Sequence, residues 1–176
     1  MAAGDEERLS AVRQGQREAK KKQKAEQRGS ALTTKAVKAK TAQKIAARRG
    51  QPIKATKKKA KAIRLATRAR QKKDLTKGKR TVVQDEGHEA DVTKTAQRGE
   101  RKVARKRTRA MVLKAKAAQT KSPTRYVKLK GRTERKEIEA KTARKKTDIK
   151  MEKEAKRKIR RSKRRTYARY GTTKKP

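Results

Sequence analysis

The sequence predicts a mostly α-helical, non-globular protein, an extended chain in which several charged helices are joined by coil. Two features of the composition lead to this prediction. Lys and Arg number 61 against 17 Asp and Glu, which gives a net charge of +44. Leu, Ile and Val together number 20 of 176 residues, and Phe is absent. Chains with so few large apolar residues and so high a charge are disordered in isolation. We therefore expect no compact core and a chain that is disordered without its partner.

Residues 1–80 are predicted to be a basic helical or extended arm, which Gly and Pro divide into three helical pieces. Residues 5–28 carry acids in the first turn and lysines towards the end, an arrangement that suits the helix dipole. Residues 33–50 form a second piece that ends at a glycine, the usual residue after a helix. A third piece begins at Pro52, because proline fits the first turn of a helix, and fades near Gly78.

Residues 81–93 are predicted to be an acidic linker between two basic stretches. They contain four carboxylates, the single His of the chain and no Lys or Arg. The spacing of these groups fits no calcium loop, and a transition metal would need a second His or a Cys. We expect an exposed linker in which Asp91 or Thr93 caps the following helix. A second interpretation is that this segment docks on a basic neighbouring protein.

Residues 94–131 are predicted to hold a basic helix followed by a short extended segment. The helical pattern covers residues 92–120 and must end before Pro123, which lacks the N–H that a helix interior needs. The segment of residues 125–131 is short, and we expect it to have an extended backbone.

Residues 132–176 are predicted to be one long charged helix with an Arg- and Tyr-rich tail. No Gly or Pro interrupts residues 132–170, and Glu and Lys four residues apart, as in Glu154 and Lys158, support a helix. The apolar residues that fail to form a stripe are Ile138, Ile149, Met151 and Ile159. We therefore expect a helix that is polar all round and that joins neither a coiled coil nor a core.

The charge predicts a polyanion as the partner. A sequence isoelectric point of about 11.4 is typical of nucleic-acid binding, in which each neutralised phosphate releases counterions. An anionic membrane would call for a helix with a bulky apolar face, and no segment has one. With no Cys, one His and no Gly-rich phosphate loop, the sequence carries no motif for catalysis or for a small-molecule substrate. We expect no enzyme, no metal and no cofactor.

Arginine clusters and the three tyrosines are the candidate contacts with RNA. Arginine binds phosphate bidentately, and both arginine and tyrosine can stack on unpaired bases. An anchoring role for the tyrosines against a neighbouring protein is equally open. The candidate RNA-binding residues are Arg48, Arg49, Lys57, Lys58, Lys59, Arg64, Arg68, Arg70, Lys79, Arg80, Arg101, Arg105, Lys106, Arg107, Arg109, Arg125, Tyr126, Arg160, Arg161, Arg164, Arg165, Tyr167, Arg169 and Tyr170.

In composition, the whole chain resembles the basic extensions of eukaryotic ribosomal proteins and the small Lys/Arg-rich factors of pre-ribosomes. The resemblance implies a structural protein or assembly factor that orders on rRNA and bridges its helices. It also implies neighbouring ribosomal or assembly proteins as partners, and a place in the nucleus and nucleolus or in the cytoplasm with ribosomes. One alternative is a chromatin or DNA-condensing protein, although with only 3 Pro the match to a linker-histone-like tail is poor. The other is a basic scaffold that binds acidic proteins.

Overall fold

The computed structural model describes residues 3–85 and 88–170, with side chains for 9–85 and 88–167. This part of the chain contains four helices and one two-stranded antiparallel sheet, so the prediction of a mostly helical protein is confirmed. In chain order the elements are α1 (Ala3–Arg48), α2 (Pro52–Thr76), β1 (Val82–Asp85), β2 (His88–Asp91), α3 (Thr93–Ala117) and α4 (Pro123–Tyr170). They form two units, which divide between Lys79 and Arg80.

In the first unit, α1 and α2 form an antiparallel helical hairpin with a short connection. α1 ends where Gly50 adopts a left-handed φ of 63°. The N–H of Gln51 then bonds the carbonyl of Ala46 at 3.0 Å, which satisfies one of the last carbonyls of the helix. Gly78, with a φ of 68°, ends α2 in the same manner, and Pro52 begins it. The predicted ends at these glycines are confirmed.

The structure corrects the predicted break within α1. Instead of separate helices over 5–28 and 33–50, a single helix of 46 residues runs through Gly29. Gly29 faces α2, and a Cβ added to it would lie 3.5 Å from the Cβ of Lys72. A glycine inside a helix costs about 1 kcal/mol relative to alanine, but it does not end the helix unless its φ turns positive.

Small side chains, chiefly alanine, predominate at the interface of the first hairpin, with Leu32 and Gln43 among them. They recur at alternating spacings of three and four residues, which is the pattern of a coiled coil. The row on α1 is Ala25, Gly29, Leu32, Ala36, Ala39, Gln43 and Ala46, and the alanines seven residues apart on α2 are Ala55, Ala62 and Ala69. Ala39 and Ala62 are 6% and 3% exposed. Because the distance between packed helices depends on the side chains at the contact, alanine allows a close approach with few large apolar residues.

In the second unit, α3 and α4 form another antiparallel hairpin, and α4 has an inner face. Gly99 of α3 lies directly against Thr147 of α4. The buried residues along this interface include Ala110, Ala117, Thr133 and Ala140. The prediction that the last helix is polar all round and joins neither a coiled coil nor a core is therefore corrected, since one face of α4 is buried. The Ile and Met residues of α4 form no stripe, but Ala and Thr residues of α4 and Gly99 of α3 form the interface.

The C-terminal half of α4 also packs against the β-sheet. Ala90 of β2 and Val92, which follows it, form a buried cluster with Ala155 and Ile159 of α4. The ammonium of Lys158 donates a hydrogen bond to the carbonyl of Asp91 and ties the end of β2 to the helix. The second unit thus has a small apolar cluster where the hairpin of helices meets the sheet.

The acidic segment is a β-hairpin, which corrects the prediction of a linker. β1 and β2 pair with Val82 opposite Asp91, and the next pair inward, Val83 and Ala90, belongs to the apolar cluster on α4. The carboxylate of Asp91 accepts a hydrogen bond from the N–H of Thr93 at 2.8 Å and so holds the start of α3. Each strand has only four residues, and such short strands show too little alternation to be detected in the sequence.

Residues 125–131 are helical, which corrects the predicted extended segment. α4 begins at Pro123, and the N–H of Tyr126 bonds the carbonyl of Ser122 at 2.9 Å. Proline suits the first helical position because its fixed φ is helical and its missing N–H would have no helical partner there. α3 ends at Ala117, before this proline, as predicted.

Candidate nucleic-acid interface

Cations occupy the outer faces of both hairpins, away from the small side chains of the inner faces. In the first unit, the exposed predicted contacts are Arg48, Arg49, Lys57, Lys58, Lys59, Arg64, Arg68, Arg70 and Lys79. In the second unit, they are Arg80, Arg105, Arg107, Arg109, Arg125, Tyr126, Arg160, Arg161, Arg164, Arg165 and Tyr167. Arg101 and Lys106 are half-buried. The side chains of Arg169 and Tyr170 lie outside the described residues.

One row of exposed cations follows α2. Lys57, Lys61, Arg64 and Arg68 are three or four residues apart, so they share one face of the helix. The row extends over about 16 Å, since each residue of a helix rises about 1.5 Å. Arg64 also donates from Nε to the carbonyl of Ala60 at 3.3 Å, which directs its guanidinium back along the helix. Lys61 completes the row, although it is not among the contacts predicted from the sequence.

A groove of about 1330 Å³ runs between α3 and α4 in the second unit. Nine Lys and Arg residues line it against three Glu, so it carries a clear excess of positive charge. The cations of the α3 wall are Lys94, Arg98, Arg101, Lys102, Arg105 and Lys106, and those of the α4 wall are Arg135, Lys146 and Lys150. Gly99, Ala143 and Thr147 lie between the walls, where the two helices meet. The groove is therefore concave, with small residues at its base and cations on both sides.

Two of the three carboxylates in this groove are already matched by lysines. Glu139 accepts hydrogen bonds from Lys106 at 2.8 Å and from Lys136 at 2.7 Å, and these bonds lower its pKa to about 2. Glu154 accepts a hydrogen bond from the hydroxyl of Thr95 and forms an ion pair with Lys158 at 2.9 Å. Both interactions lower the pKa of Glu154 below its usual value. Both carboxylates stay charged at neutral pH, and their lysine partners offset that charge.

The pairing with Glu139 gives Lys106 a different role from the predicted one. Its ammonium is occupied by a carboxylate within the hairpin, so it links α3 to α4. Of the predicted residues, the groove brings together Arg101, Arg105 and Lys106. The groove cations that the prediction missed are Lys94, Arg98, Lys102, Arg135, Lys146 and Lys150. Four-residue spacing along α3 was a usable signal for the first three, whereas the facing residues of α4 require the pairing of the helices to be known.

Two of the three tyrosines have solvent-facing rings. Tyr126, in the first turn of α4, is 44% exposed, and Tyr167, near its end, is 68% exposed. Exposed aromatic rings beside arginines suit stacking on unpaired bases. Both side chains are available to a partner.

Within the described residues, no group of three or more His, Cys, Asp or Glu is placed to hold a metal ion. No helix among them has the length and apolar content to cross a membrane. Comparison of the chain with protein-family models, with curated proteins and with solved structures finds no match. Charge, exposure and geometry are therefore the basis for assigning a function.

Proposed function

We propose that the chain is an rRNA-binding structural protein or assembly factor of the eukaryotic ribosome or pre-ribosome. The observation that supports this most directly is the separation of side chains in both hairpins, with alanine and glycine inside and Lys and Arg outside. With 61 cations and 17 carboxylates in the chain, most of the outer cations have no internal counter-charge. Such a surface binds a polyanion through its phosphates and gains free energy from counterion release.

Folding is coupled to RNA binding in this proposal. Among the described residues, twelve of the fourteen buried apolar residues are alanine. Each buried methyl contributes only about 0.8 kcal/mol, so the inner faces stabilise the hairpins weakly. The net charge of +44 opposes any folded state, and RNA phosphates remove that repulsion. We expect mostly coil at low salt without RNA, and helix on addition of RNA, as measured by circular dichroism.

Folded rRNA suits the dimensions and chemistry of these helices. α1 and α4, with 46 and 48 residues, are each about 70 Å long at about 1.5 Å per residue. Helices of this length can lie along or between RNA helices and bridge them through phosphate contacts. Side chains cannot read the deep major groove of A-form RNA, and the chain contains no Asn, which favours phosphate over base contacts. Placement then depends on RNA shape and on neighbouring ribosomal or assembly proteins.

A nuclear and nucleolar location completes the proposal. Basic clusters such as residues 57–61 and 105–109 are exposed for the most part and match the composition of import signals. Assembly of ribosomal subunits would bring the chain into contact with rRNA there, and a stable component would travel on with the subunit to the cytoplasm.

Sucrose-gradient sedimentation of the tagged full chain tests the proposed function. We expect the chain to sediment with ribosomal subunits or their precursors and to be released by RNase but not by DNase. Release by DNase alone would identify a chromatin or DNA-condensing protein. Retention on acidic proteins after both nucleases would identify a basic scaffold. Absence from every ribosomal and precursor peak would refute the proposal.

A further inference from the structure

We propose that the groove between α3 and α4 holds the phosphate backbone of one unpaired RNA strand. This inference rests on the proposed function and specifies both a site and the form of RNA bound. It starts from the arrangement of charge within the second unit, where an excess of cations borders a base of small residues.

The α3 wall presents a regular ladder of cations. Lys94, Arg98, Lys102 and Arg105 are separated by four, four and three residues and are all exposed. In a helix these steps correspond to rises of about 6, 6 and 4.5 Å. Successive phosphates of an extended strand are spaced on the same scale, so each cation can reach a different phosphate.

The α4 wall closes the groove from the other side. Arg135, Lys146 and Lys150 lie there, opposite the ladder. Arginine can bind a phosphate bidentately, and the flexible side chain of lysine can bring its single charge close to a phosphate. A strand in the groove is thus contacted from two sides, whereas an isolated helix would contact it from one.

The base of the groove consists of small residues, and two of the three carboxylates that line the groove are matched by lysines. Gly99 meets Thr147 so closely that a Cβ on Gly99 would lie 2.1 Å from the Thr147 Cγ2, so no side chain projects from that position. The carboxylate of Glu139 is matched by two lysines and does not oppose an incoming phosphate. The exposed ladder residues Lys94, Arg98, Lys102 and Arg105 then present the positive charge that the strand contacts.

The usual spacing of packed helices favours a single strand over a duplex in this groove. Packed helices lie about 8 to 10 Å apart, and a double helix is too wide to enter a groove between them. The lining contains no aromatic residue that could stack on a base. Ile138, 63% exposed at the edge, offers only an apolar contact. Binding at this site is therefore tolerant of sequence and depends on phosphate contacts.

Substitution of the ladder tests the inference in the full chain. The groove variant carries Lys94→Gln, Arg98→Gln and Lys102→Gln. The matched control carries Lys114→Gln, Lys116→Gln and Arg144→Gln, which removes the same charge and residue types from exposed positions of the same hairpin that do not line the groove. Since excess positive charge opposes folding, neither variant is expected to lose helix, and circular dichroism with RNA bound verifies this.

The measurement is the affinity for a fluorescent single-stranded oligouridylate, for an RNA duplex of equal charge and for polyglutamate. Each phosphate contact with a single strand adds about 0.7 to the slope of log affinity against log salt, so the groove variant should lower that slope by about 2 for the single strand. We expect about a tenfold loss of single-strand affinity in the groove variant, against about threefold or less in the control.

Equal losses in the two variants would overturn the inference, and so would a loss for the duplex as large as that for the strand. If the wild-type chain binds polyglutamate as tightly as the single strand, and the groove variant loses both affinities equally, the groove binds an acidic protein instead. Suppose that the wild-type chain binds the duplex well and that the groove substitutions do not change the affinity for the single strand. That result would disprove the groove site and leave the proposed function standing. A wild-type chain that binds neither RNA would disprove the proposed function itself.

Discussion

Single small residues set the distance between the helices of each hairpin. Gly99 meets Thr147 in the second unit, and Gly29 meets the stem of Lys72 in the first. Both positions are helical, so the absence of a side chain is used for close approach and not for an unusual φ. The stability of the second hairpin should therefore depend strongly on residue 99.

Gly99→Ala should destabilise the second hairpin. The new Cβ would meet the Cγ2, Oγ1 and Cβ of Thr147 at 2.1, 2.5 and 2.8 Å, so rotation of the Thr147 side chain cannot relieve the overlap. Overpacking of this kind costs about 1 to 3 kcal/mol. The measurement is thermal unfolding of the full chain by circular dichroism in sodium sulfate, which screens the cations and favours the folded state.

Gly131→Ala is the matched control. Gly131 lies within α4, and an added Cβ would find nothing within 4 Å. Alanine inside a helix is preferred over glycine by about 1 kcal/mol, so this variant should unfold at a higher temperature than the wild type. If both variants moved the midpoint in the same direction, the close contact at Gly99 would be contradicted.

Glu139→Gln should remove a pH-dependent contribution to stability. Hydrogen bonds from Lys106 and Lys136 lower the pKa of Glu139 from 4.5 to about 2 in the folded chain. A lowered pKa means that the stabilisation is fully present above pH 4.5 and is lost as the pH falls to about 2. The variant should be less stable than the wild type at pH 7, and the difference should vanish near pH 2 in unfolding measurements across this range.

Glu137→Gln, at an exposed position of the same helix, is the control for this titration. Among the described residues Glu137 forms no ion pair with Lys141, although the two are four residues apart. Substitutions at such exposed positions usually change stability by about 0.5 kcal/mol or less, so this variant should be about as stable as the wild type at pH 7. An identical response of the two variants would show that the bonds of Glu139 to the lysines add no stability.

Among the elements, the helix ends at Gly50, at Gly78 and before Pro123 were predictable, whereas the continuity of α1, the start of α4 and the pairing of the helices were not. Gly50, Gly78 and Pro123 act through local backbone geometry, which the sequence carries directly. The inner faces consist of alanine, glycine and threonine, residues that occur throughout the chain, so no apolar stripe stands out. The β-hairpin at residues 82–91 depends on contacts with α4, which are distant in the sequence. Pairing also explains why the α4 wall of the groove went unpredicted.

Ile159→Ala should destabilise the junction between α4 and the β-hairpin. Ile159 is 6% exposed and belongs to the cluster with Ala90, Val92 and Ala155. Truncation of a buried isoleucine typically costs 2 kcal/mol or more, and we expect about 2 kcal/mol in this small cluster. The unfolding midpoint in sodium sulfate measures the loss.

Ile149→Ala serves as the control, because Ile149 lies on the same helix and is 50% exposed. Substitutions at such positions usually change stability by about 0.5 kcal/mol or less. A similar cost for both substitutions would contradict the packing of β1 and β2 against α4.

For the whole molecule, net charge limits both fold and function. The chain has 61 Lys and Arg residues, and most of those that the structure describes are exposed. Repulsion among them opposes a compact state. The sequence was sufficient to predict the helical class, which the structure confirms, and the exposed cations of the outer faces follow from the same composition. The order of cations along a groove follows from three-dimensional pairing of α3 with α4 and had to come from the structure.

Ultraviolet cross-linking of the full chain in cells, followed by sequencing of the attached nucleic acid, tests the central claim most directly. The proposed function predicts cross-links to a restricted set of rRNA segments, with attachment from exposed residues of the outer faces, including the α3–α4 groove. Cross-links that are confined to DNA, or a chain recovered with no rRNA attached, would contradict it.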